Sequence, residues 1–113
     1  MRIIKDDISI YELKKIAEAS FGNLVKAVVD IENEVMVIGG ELHSDEEALL
    51  IEQGVEQKNL WGINLYPEIE GGDWIEFDSI INIRPSQGNL TRGIDNPQVR
   101  RRIIEIVNKV VKK

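Results

Sequence analysis

Two runs rich in β-branched residues, Leu24 to Ile31 and Val35 to Ile38, stand so close in the chain that only a hairpin can pair them. A parallel pair needs a crossover of roughly a dozen residues or more, and the Glu32-Asn33 connection leaves no room for one. Asn33 is expected to supply the left-handed turn residue. A second pair obeys the same constraint: LWGINLYP (Leu60 to Pro67) and WIEFDSIINIRP (Trp74 to Pro85) are joined by the turn-prone EIEGGD. In the latter run Ile75, Phe77, Ile81 and Ile83 point one way, and Glu76, Asp78, Asn82 and Arg84 the other. Setting Tyr66 opposite Trp74 pairs Asn64 with Glu76 on the polar face and puts Ile63 and Leu65 beside Ile75 and Phe77.

Helical signals surround these pairs. Ser9 to Phe21 opens on a capping box, Ser9 with Glu12, and a staple of Ile8 on Leu13. Leu13, Ile16, Ala17 and Ser20 share a face, and Gly22 suits the stop. Ser44 and Glu47 read as a second capping box, opening a short helix that Gly54 closes. The last helix starts at Asn96-Pro97 and carries an apolar stripe of Val99, Ile103, Ile106, Val107 and Val110. The predicted order is αββαββα. Residues 1–113 form one α+β domain, a four-stranded, mainly antiparallel sheet with its long helices packed on one face.

Composition narrows the chemistry. With no cysteine, the chain has no disulfide, thiol nucleophile or cysteine-held metal. No apolar run approaches the roughly 20 residues of a membrane span, and the N-terminus lacks the apolar core of a signal peptide. A cytoplasmic protein is expected. The net charge of -6 is unevenly placed. Before Arg84 there are 6 Lys/Arg against 18 Asp/Glu, and from Arg84 onward 8 against 2. An acidic body with a basic tail argues against general nucleic-acid binding. It leaves room for a small anionic ligand, an acidic protein surface, or a homo-oligomer in which one copy's tail docks on another's body.

The words GGELHSDEEALL, LWGINLYP and INIRPSQGN, in that order and at these separations, resemble a family of small uncharacterised prokaryotic proteins of about this length. The resemblance runs nearly end to end. It implies a self-contained bacterial or archaeal domain of unknown function, and it supplies no catalytic residues or cofactor.

The residues themselves offer three candidate sites. In RPSQGNLTRGIDNPQVRRR (Arg84 to Arg102), Arg84 and Arg92 are placed to bracket an anion, with Gln87, Asn89 and Thr91 as hydrogen-bond donors. Arg100, Arg101 and Arg102 follow at the helix entrance, where the helix dipole disfavours them, so the arginines are expected to gather there. The segment has no Gly-Lys-Ser/Thr ending and therefore supports no nucleotide claim. Second, Glu41, His43 and Asp45 present carboxylate, imidazole and carboxylate to a divalent metal, the basis of an alternative reading as a small metal-dependent hydrolase. No other cofactor is predicted. Third, Asn64, Glu76, Asp78, Asn82 and Arg84 line one strand face, where paired carboxylates can shift a pKa; ordinary solvation is the competing explanation. Ser20, Ser79 and Ser86 lie in no nucleophile elbow, and His43 is the only imidazole. Asn89-Leu90-Thr91 spells a glycosylation sequon without an export signal, and Trp61, Trp74 and Tyr66 are expected in the core.

Overall fold

The computed structural model describes all 113 residues. Its sheet has five antiparallel strands rather than four. The strands are β1 (Arg2–Ile4), β3 (Val25–Asp30), β4 (Val35–Ile38), β5 (Leu60–Leu65) and β6 (Ile75–Glu76), in spatial order β1-β4-β3-β5-β6. β1 pairs with β4 at one edge, Ile3 opposite Val37. Three residues are too few for alternation to reveal, which is why β1 escapes a periodicity reading. The register at the other edge is as expected: Asn64 faces Glu76 and Leu65 faces Ile75.

The β3–β4 hairpin forms, but its left-handed residue is Glu34 (φ 58°), not Asn33. Asp30 explains the shift. Its carboxylate accepts from the Glu32 and Asn33 backbone amides and from the Asn33 side chain, and this wraps the turn before Glu34. Glu34 is then held from α3 (Pro97–Val110) by Lys109 at 3.1 Å and Arg102 at 3.7 Å.

The long first and last helices share one face of the sheet, as expected, but the short helix between them covers the other, so helices lie on both faces. α1 (Ile10–Ala19) and α3 pack Leu13, Ala17, Ile103, Ile106 and Val107 on Val25, Ala27, Val29, Ile63 and Leu65. On the opposite face α2 (His43–Glu52) buries Leu50 against Val28, Val37 and Leu60. Ser9 caps α1, accepting from the Glu12 amide at 3.0 Å. The Glu12 carboxylate bonds Arg2 instead of closing the capping box. Asn96 caps α3, with Pro97 in the first turn. A short parallel bridge joins β2 (Ile8–Ser9), just before α1, to β7 (Val111–Lys112), just after α3.

The largest departure lies between Trp74 and Pro85. Only Ile75 and Glu76 remain in the sheet. Beyond Asp78 the chain coils into 3-10 turns at Ile80–Asn82 and Pro85–Gln87, and folds across β5. Ile80 and Ile83 are left exposed, while Ile81 packs in the α2 layer. Gly62 permits this crossing, because a Cβ there would lie 2.6 Å from Ser79 Cβ and 2.7 Å from its Oγ. Gly62→Ala should therefore cost about 1–3 kcal/mol in urea unfolding. A loss below a few tenths of a kcal/mol would mean that the segment shifts freely.

Candidate functional site

The three words of the sequence meet around β5, and polar side chains hold them together. Asn82, fully buried, brackets Gly62 like a strand neighbour: its Oδ1 accepts from the Gly62 amide at 2.8 Å and its Nδ2 donates to the Gly62 carbonyl at 2.9 Å. Arg84, only 7 % exposed, lies beside it with its guanidinium 4.7 Å from the Trp61 ring. Its Nε donates to Ile81 O, its Nη1 to Gln57 O and Gln87 Oε1, and its Nη2 to Leu60 O and Glu47 Oε2. A guanidinium has five N–H groups, and these five acceptors take all of them. Burial lowers the Arg84 pKa and the Glu47 carboxylate opposes that shift. Asn89 closes the loop, donating to the carbonyls of Asn82, Thr91 and Gly93 and accepting from the Asp95 amide.

The expected gathering of arginines at the α3 entrance does not occur. Arg84 is buried under α2, Arg92 pairs with Asp78 at 2.7 Å, and Arg102 reaches Ile31 O and Glu34. Gln87 bonds Arg84 and Lys58 O, and Thr91 bonds Asp95. In the segment Arg84, Gln87, Asn89, Thr91 and Arg92, the loop thus consumes most of its own donors; Gln87 keeps one amide N–H, and Arg92 keeps its terminal guanidinium N–H groups, free of protein partners.

Arg92 lines a pocket of about 210 Å³ at the start of α2, together with Lys26, His43, Ser44 and Ser79. The predicted Ser44–Glu47 capping box is absent. The helix starts two residues earlier, from Leu42, with no side-chain cap, because Glu47 answers the buried charge of Arg84. The first α2 amides, those of His43 and Ser44, therefore lack protein acceptors at the pocket. Lys26 has no carboxylate partner, its ammonium lying 5.0 Å from the Phe21 ring centre. His43 is 8 % exposed and its Nε2 donates to Ile63 O at 2.8 Å, which fixes the neutral tautomer. Burial lowers its pKa, and Lys26 adds to that.

Glu41, His43 and Asp45 do not converge. His43 turns inward to β5, while Glu41 and Asp45 line a separate groove, and no group of three His, Cys, Asp or Glu side chains is placed to hold a metal ion. The polar strand face is a bonded array: Asn64 and Tyr66 both donate to Glu76, while Asp78 holds Arg92. Asn64 Oδ1 has no partner.

A family model described as a protein of unknown function, DUF5674, matches residues 2–110. The chain belongs to the DUF5674 family. No curated protein and no solved structure matches it. No helix of this DUF5674 domain is long and apolar enough to cross a membrane.

Two side chains of this DUF5674 domain were missed by pattern reading. Lys26 is the one cation of β3, in a run whose other residues are apolar up to Asp30, a signal easily discounted as a solvated side chain. Glu46 looks like one of three first-turn acids, yet it is fully buried and shares a helical stripe with His43 and Leu50, three residues before it and four after. Its Oε2 accepts from the Gly40 amide at 3.0 Å, and its Oε1 has no partner. Burial pushes its pKa up to about 9, against the Gly40 hydrogen bond.

Proposed function

We propose that this domain is a binding module for a small anion, held in the pocket at the start of α2. Arg92 is the one member of the Arg84–Arg102 segment that serves it. One observation carries this reading: unpartnered donors surround a single pocket. These are the Lys26 ammonium, the outer guanidinium nitrogens of Arg92, and the uncapped His43 and Ser44 amides. A helix N-terminus flanked by two cations favours negative oxygen atoms. Asp78 tempers the charge on Arg92 and orients its side chain, so the site suits a compact anion rather than a nucleic-acid backbone.

The test is an amide-resolved NMR titration with inorganic phosphate. Saturable shifts are expected at His43 and Ser44. Lys26→Ala and Arg92→Ala should each weaken binding about tenfold, a loss of roughly 1.4 kcal/mol. Thr91→Ala, outside the pocket, should leave affinity unchanged. Shifts that do not saturate, or equal affinities in all three variants, would reject the site.

A further inference from the structure

The anion pocket at the start of α2 contains one polar atom that does not suit a bare anion. His43 lines this pocket although it is only 8 % exposed. Its Nε2 is spent on Ile63 O, so Nδ1 carries the lone pair of the neutral ring. No protein donor reaches Nδ1. The fold seals three unpartnered side-chain atoms from solvent, Glu46 Oε1, Trp61 Nε1 and Asn64 Oδ1, and Nδ1 is not one of them. The small opening that His43 keeps is the pocket. An anion's oxygen would be repelled by that lone pair, whereas a ligand hydroxyl would satisfy it.

Spacing limits where such a hydroxyl can sit. Nδ1 and one of the two uncapped amides belong to the same residue, so they lie one short side chain apart. An oxyanion on the His43 amide and a hydroxyl on Nδ1 must then stand on neighbouring atoms of one small ligand. The wall adds a third requirement. Leu42 and Ile80 both line the pocket, and both are large aliphatic side chains left 54 % and 68 % exposed. Scattered exposed apolar residues need no explanation, but two that meet at a charged pocket of about 210 Å³ offer an apolar contact beside the anion.

We infer that the pocket takes a short, branched aliphatic 2-hydroxy carboxylate. Its carboxylate accepts from the His43 and Ser44 amides and pairs with Lys26 and Arg92. Its 2-hydroxyl donates to His43 Nδ1, and its tail covers Leu42 and Ile80. The assignment rests on the anion site proposed above and names the occupant of that site.

Two acids that differ only in the hydroxyl, 2-hydroxy-4-methylpentanoate and 4-methylpentanoate, test it by NMR titration of the intact chain at pH 8. The hydroxy acid should bind about fivefold more tightly. The nitrogen-15 resonance of His43 Nδ1 should move as that of a hydrogen-bond acceptor, without becoming that of an imidazolium. Lactate, which lacks the branched tail, should bind severalfold more weakly. Leu42→Ala combined with Ile80→Ala, both at exposed positions, should erase the advantage of the tail and leave phosphate affinity unchanged. Equal affinity for the two branched acids, an imidazolium resonance in the complex, or a tail advantage that survives the double variant would each overturn the assignment. If phosphate binds and the branched acids bind equally, this inference fails alone. If neither phosphate nor the acids bind, the anion site falls with it.

Discussion

Replacing Arg84 with Met should destabilise the fold by about 3–5 kcal/mol, the loss expected when one member of a buried, hydrogen-bonded ion pair is removed. The side chain ties β5, α2 and the turn Gln57–Asn59 to the 79–93 loop through five donors. Methionine fills much of the volume but leaves Glu47 and the carbonyls of Leu60, Gln57 and Ile81 without their donor. Arg84→Lys should recover only part of the loss, because an ammonium has three N–H groups and no planar fork. Urea unfolding measures both. A cost below about 1 kcal/mol for Arg84→Met would show that the carbonyls find water instead. Anion binding is expected to fall in these variants only as far as the fold does, since Arg84 does not line the pocket.

Stability should decline as pH rises from about 5 to 9, with Glu46 as the main cause. In the unfolded chain its pKa is near 4.5, and burial raises it to about 9 in the fold. Between those values the folded state holds a proton that the unfolded state has released. The stabilisation from that proton is complete below the lower value and disappears as pH climbs through the upper one. Each pH unit in the window is worth up to about 1.4 kcal/mol. Glu46→Gln, which cannot ionise, should flatten the profile, matching the native chain near pH 5 and exceeding it by a few kcal/mol near pH 8. Chemical denaturation at several pH values reads this directly. Parallel profiles for the two proteins would mean that Glu46 is ionised in the fold.

What could be read from the chain followed from local chemistry. Ser9 and Asn96 cap their helices because each needs only its own amides two or three residues on. The β5–β6 register held because alternation and turn length fix it together. Failures occurred where a distant charge overrode a local preference. Glu47 would complete a capping box in isolation, but the buried Arg84 claims it from 37 residues away. Ile81 and Ile83 alternate like strand residues, yet Gly62 gives the segment room to leave the sheet and Asn82 takes over the missing backbone bonds. The candidate sites suffered most. A list of arginines does not reveal which guanidinium finds carbonyls first, and in this fold Arg84 finds five acceptors while Arg92 finds one.

The bridge between Ile8–Ser9 and Val111–Lys112 has a consequence for how the chain is made. It joins residues about as far apart in sequence as this domain allows, so closing it carries the largest entropic cost of any pairing in the fold. During synthesis the sheet can assemble from its hairpin outward, but the clasp that seats α1 beside α3 must wait until Val111 has cleared the ribosome.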